Sequence, residues 1–218
     1  LLDEVDAPIF VFRGGRDFDA RMTPDLRHRY AHRMLRDRAK SELPLWYEEG
    51  AAQLARSIDD NARGLLLGRI DPEWRNLILD WRSDDLLTAL QRADLSEETA
   101  PGRIRFEALT WGIAHALEFG EGAVTGEPTK LALYREKLAR GGGAAAREDA
   151  LAAIGLDGDA LEKLVYKHLE KKRPQVRLLE LHGLKTRHWR TTPLSLAESR
   201  ARLAELGSKS DPPNAELH

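Results

Sequence analysis

The stretch His28-Arg29-Tyr30-Ala31-His32, followed by Leu43-Pro44-Leu45-Trp46-Tyr47-Glu48-Glu49-Gly50, decides how this chain is read. Thr23 offers an N-cap, Pro24 suits the first helical position and Asp25 adds an acid to the first turn, so a helix is predicted over 24–38. His28 and His32 stand four apart on it and share a face. Pro44 opens a second predicted helix, reaching about Ile58, from which Glu49 can approach the two imidazoles. Two histidines and a carboxylate from adjoining helices make a three-ligand metal set whose fourth position stays open to water. Trp46 and Gly50-Ala51-Ala52 predict close helix packing, and therefore burial, around Glu49.

Composition narrows the chemistry. The chain has 218 residues, 42% hydrophobic and 32% charged, with 34 Lys+Arg against 36 Asp+Glu, so it reads as soluble and globular with a sizeable core. A net charge of −2 gives no global attraction to nucleic acid or anionic membrane. Cysteine is absent, which excludes disulfides and thiolate ligands and leaves His and carboxylate for any metal site. No apolar run reaches the roughly 20 residues needed to span a bilayer. The chain begins Leu1-Leu2 rather than Met, so an upstream export signal could have been removed, and the compartment stays open.

Working outward, Pro8 to Arg13 reads as a buried strand ending at Gly14-Gly15. Leu65-Leu66-Leu67 is too short to assign. Helices are predicted at 72–80, 84–92, 104–119, 129–140, 145–154 and 157–172, with a weakly alternating strand at 175–181. A last helix is expected from Thr192-Pro193 to Gly207, and residues 208–218 read as a disordered tail. On the metal helix, Leu26, Tyr30 and Met34 form one stripe, with His28, His32 and Leu35 beside it. The fold class is α+β, predominantly α.

Residues 26–54 resemble the gluzincin zinc metallopeptidases, and within them the bacterial peptidase-MA-like family, whose sites read His-Glu-x-x-His and then Leu-Pro-x-Trp-x-x-Glu-Gly-x-Ala. Downstream, Thr110-Trp111-Gly112-Ile113-Ala114-His115 and the run from Lys130 to Gly155 resemble the same family, so the likeness spans about residues 9–172. It implies a metallopeptidase-like domain over 1–172, with a reduced N-terminal sheet, and a C-terminal strand and helix extension over 173–207. It also implies zinc held by His28, His32 and Glu49. Arg29 stands where the family has its catalytic glutamate. A guanidinium stays protonated and cannot accept a proton from metal-bound water. Asp25, four residues upstream, is expected to pair with Arg29 and hold it away from the cation.

Other residues have plainer roles open to them beside functional ones. His115 can donate to a reacting oxyanion or can be a packed core histidine. Glu48 as a displaced base is opposed by the 100° between adjacent helix positions. His182, His188 and the basic residues around Trp189 read as a solvated loop, and Gly141-Gly142-Gly143 as a helix stop. The expectation is a proteolytically inactive, zinc-binding scaffold that receives a peptide or protein partner in the old cleft. The alternatives are an active zinc-dependent hydrolase, and a helical interaction module without metal.

Overall fold

The structure, a computed structural model, describes residues 22–39, 42–61, 64–81, 85–120, 127–141, 150–171 and 175–180, with 195, 197, 198, 200 and 201. The expected strand at Pro8 to Arg13 and the tail at 208–218 lie outside the described residues.

The elements whose bounds fall within the described residues are, in chain order, α1 (Met22–Arg38), α2 (Leu45–Arg56), β1 (Asp59–Asn61), β2 (Gly64–Leu67), α3 (Pro72–Asp80), α4 (Asp85–Gln91), α5 (Ala100–Phe119), α6 (Lys130–Gly141), α7 (Gly158–Leu169) and β3 (Arg177–Glu180). The molecule is therefore predominantly helical with a small antiparallel sheet of order β1-β2-β3. Asp60 pairs with Leu65, and Leu66 with Leu178. Leu65 to Leu67 form the middle strand, because a hairpin partner on one side and a distant strand on the other satisfy a backbone whose length alone could not specify its state. All three strands belong to the first of two compact units, Leu1–Leu181; the second is His182–His218.

Helix α5 is the centre of the first unit. It is buried almost continuously from Phe106 to Phe119, as a helix apolar on every face must be. It starts at Ala100 rather than 104 because Thr99 caps it, accepting from the Gly102 N–H, with Pro101 in the first turn. Small residues set its neighbours' distances. A Cβ on Gly50 of α2 would stand 2.5 Å from the Thr110 carbonyl oxygen and 2.9 Å from Ala114 Cβ. On another face, a Cβ on Gly112 would meet Ile78 of α3, with Leu169 and Val165 of α7 just beyond. Thr110 and Ala114 thus face α2, while Gly112 faces α3 and α7.

The flanking helices show the capping chemistry their sequences carry. Asp71 accepts from the N–H groups of Glu73 and Trp74 at the start of α3, and Asp157 from Ala160 at the start of α7. Trp46, Tyr47 and Tyr134 pack with ring centroids 5.0–5.9 Å apart, joining α2 to α6. Of the expected helix at 145–154, residues 150–154 are described: 150–152 are helical, and 153 and 154 already belong to the turn that leads into Gly155. In the second unit, the Ser195 N–H donates to Glu198 and the Glu198 N–H donates back to Ser195 Oγ. This reciprocal cap precedes the described helical residues 197, 198, 200 and 201, while the expected start at Thr192-Pro193 lies outside the described residues. No helix among the described residues is long and apolar enough to cross a membrane.

Candidate metal centre

Helices α1 and α2 run antiparallel, tied by polar pairs spaced along their length: Asp25 with Arg56 at 3.4 Å, the two histidines with Glu48 and Glu49, and Arg36 with Glu48 at 2.6 Å. The i, i+4 spacing of His28 and His32 brings both rings to the α2 side, edge to face with centroids 4.7 Å apart. Gly50 lets α2 settle against α5, which buries the adjacent Glu49. This is the packing predicted from Trp46 and Gly50-Ala51-Ala52.

Three ligand atoms, one each from His28, His32 and Glu49, lie within 4.8 Å of one another. His28 Nε2 is 2.9 Å from Glu49 Oε1, and His32 Nε2 is 3.2 Å from Glu49 Oε2. In a tetrahedral zinc site with bonds of 2.0–2.1 Å, neighbouring ligand atoms stand about 3.3 Å apart. The two His–Glu49 separations are within a few tenths of an ångström of that edge, each to a different oxygen of Glu49, and all three ligand atoms fall within 4.8 Å of one another. The donor set fits zinc in kind as well, because two imidazoles and a carboxylate are borderline ligands. Both histidines present Nε2 to the Glu49 carboxylate.

The electrostatics are those of a charged cluster partly withdrawn from water. Burial pushes the Glu49 carboxyl up, but hydrogen bonds with His28, His32 and Gln53, together with the charge of His28, hold it well below the usual carboxylate range. Burial lowers the His32 imidazole, and its bonds to Glu49 and Glu48 outweigh that and raise it. Gln53 donates to Glu49 Oε1 at 2.8 Å from the next turn of α2. The carboxylate is therefore ionised and held in place.

Arg29 is exposed, one helix position and about 100° round from His28. Asp25 does not hold it. Asp25 instead reaches across to Arg56, since the antiparallel packing puts that guanidinium nearer than a same-helix partner. Tyr30 is also turned out, at 48% exposure, so the inward stripe of α1 is that of His28, His32 and Leu35.

His115 lies elsewhere. While Thr110 and Ala114 face α2, His115 packs against Trp111, Phe119 and His168, fully buried, and its Nδ1 is 2.7 Å from His168 Nε2. Burial, and then the His168 charge, push it down to about 3; burial, and then Lys171, push His168 down to about 4. Both imidazoles are neutral in the core.

Sequence reasoning overlooked two groups at the cluster. Gln53 was legible as the i+4 neighbour of Glu49. Glu107 carried no local signal; it stands one turn before Thr110 on α5, half-buried, and its carboxyl is raised by burial and then by the charge of Glu49.

A cleft of about 1060 Å³ opens on a different stripe of α2, lined by Tyr47, Ala51 and Leu54 with Glu118, Arg135 and Arg177. None of His28, His32 and Glu49 lines it. Comparison of the chain with protein-family models, with curated proteins and with solved structures finds no match.

Proposed function

We propose that this chain is a zinc-binding protein of gluzincin type that binds a peptide or protein partner without cleaving it. The observation that carries this reading is the gathering of one ligand atom each from His28, His32 and Glu49 within 4.8 Å of one another, with both Nε2 atoms against the Glu49 carboxylate. Zinc bound there would act as a Lewis acid and acidify its water. His28, His32 and Glu49 would hold it, and Gln53 would orient Glu49. The position that the family uses for its base carries Arg29, which faces solvent. A cation bound to the three ligands is thus left without the usual proton acceptor on α1.

The test begins with metal content. Protein purified without added zinc is expected to carry one zinc per chain, and His28→Ala and Glu49→Ala are expected to lose it. Equal metal content in wild type and both variants, or none in wild type reconstituted with zinc, overturns the reading and leaves a helical interaction module. Peptide cleavage by Arg29→Glu but not by wild type would show a sound scaffold lacking only its base.

A second reading, an active zinc-dependent hydrolase, is favoured by Glu107. Its half-buried carboxyl is raised by burial and then by the charge of Glu49, with His28 opposing, which ties it electrostatically to two of the three ligands. Zinc-dependent cleavage by wild type that Glu107→Gln abolishes would establish it.

A further inference from the structure

A histidine that ligates a metal through one ring nitrogen has its other nitrogen protonated, and what accepts that proton fixes the tautomer and the ring's orientation. His32 has such an acceptor. With Nε2 turned to Glu49, its Nδ1 is 2.7 Å from Glu48 Oε1. Glu48 is itself buried at 8% exposure and receives a hydrogen bond from Arg36 Nε at 2.6 Å on the same oxygen. Arg36 is four residues from His32 on α1, so the two groups that Glu48 joins lie one above the other on a single helix face.

We infer that Glu48 is a positioning residue of the metal centre, holding His32 as the tautomer that presents Nε2 to zinc, with Arg36 clamping Glu48 in turn. The inference rests on the zinc-binding reading above and extends it outward by two residues. Adjacent carboxylates on α2 divide the work. Glu49 points to the metal position, and Glu48, 100° round the helix, reaches past it to the far side of the His32 ring. That offset disfavours Glu48 as a base or ligand and suits it to the outer position. Among the described residues no equivalent carboxylate bonds the second nitrogen of His28, so the support is one-sided.

An isolated ion pair between Glu48 and a protonated His32 would give the same distance without a metal role, and the experiment must separate the two. Metal-free wild type, Glu48→Gln, Glu48→Ala and Arg36→Ala are titrated with zinc by calorimetry, with thermal unfolding of each metal-free protein measured alongside. Loss of an outer partner of this kind typically weakens metal binding by 10–100-fold. Glu48→Ala is expected to fall in that range. Glu48→Gln, which keeps an acceptor oxygen without the charge, should fall between it and wild type, and Arg36→Ala should lose least.

Long-range proton–nitrogen correlation of the zinc-loaded protein supplies the second readout. In wild type the His32 ring should show Nδ1 protonated and Nε2 metal-bound, and in Glu48→Ala the Nδ1 proton should lose its protection from exchange. Where Glu48→Ala does not fold, Glu48→Gln carries both measurements. A Glu48 variant that unfolds at lower temperature yet binds zinc within twofold of wild type overturns the inference, because Glu48 then serves packing alone. Zinc binding lost in His28→Ala but intact in the Glu48 variants overturns this inference only. Wild type that takes no zinc overturns the metal reading and this inference with it.

Discussion

Replacing Gly50 by alanine tests the packing on which the whole cluster depends. In an ordinary helix the change stabilises by about 1 kcal/mol, since glycine is the costlier residue in a helix interior. Here the new methyl would sit 2.5 Å from the Thr110 carbonyl oxygen and 2.9 Å from Ala114 Cβ. The Thr110 oxygen is main chain inside α5 and cannot rotate away, so α2 must back off by roughly 0.5–1 Å to restore van der Waals contact. Forced expansion of a packed interface costs about 1–3 kcal/mol. A rigid backbone obstacle belongs at the upper end of that range. Net destabilisation of about 2 kcal/mol is expected for Gly50→Ala, which for a chain of this size lowers the melting temperature by about 4–8 °C. Glu49 moves with α2, so zinc affinity should fall in the same variant. Calorimetric unfolding and zinc titration read the two effects. A variant that melts at or above the wild-type temperature would refute the claim that glycine is required there by contact with α5.

Two further predictions concern the frame around the site. The buried His115–His168 pair makes stability depend on pH: in the unfolded chain both imidazoles take up protons below their ordinary value of 6.5, whereas in the folded core His115 stays neutral down to about 3 and His168 down to about 4. Their contribution is therefore complete above pH 6.5 and is lost as pH falls toward 4, by about 1.4 kcal/mol per pH unit for each histidine. His32 shifts in the opposite direction, so the pair is isolated by comparison with His168→Leu, whose urea-unfolding free energy should fall less steeply between pH 7 and 5; parallel curves for the two proteins would count against a neutral pair. Asp71→Ala removes an oxygen that accepts from two N–H groups at the start of α3. It should cost about 1 kcal/mol in urea unfolding, and a change within the roughly 0.5 kcal/mol scatter of surface substitutions would mean the cap contributes nothing.

Several elements were legible because their causes are local. Pro72 after Asp71, and Asp157 three residues before Ala160, carry their own start signals, and α3 and α7 begin where those residues place them. The metal cluster was legible for a related reason. The helical period puts His28 and His32 on one face whatever surrounds them, and Glu49 on the next helix completes a group that could hold a metal ion. The start of α5 was missed by four residues because the apolar pattern begins at Phe106, whereas the helix begins at its cap on Thr99.

By itself, then, the sequence determined where most of the described helices lie, which side chains share a face, and that the residue beside His28 is an arginine, unable to accept a proton. Only the tertiary structure decided which faces meet. It sent Asp25 to Arg56 instead of Arg29, turned His115 toward His168, made Leu65 to Leu67 the middle of a sheet completed by β3, and set Glu48 against the far side of His32. The division has a physical cause. Periodicity and caps are properties of neighbouring residues, while a partner across a helix interface depends on how closely two backbones approach, as Gly50 allows between α2 and α5 and Gly112 between α5 and its neighbours α3 and α7.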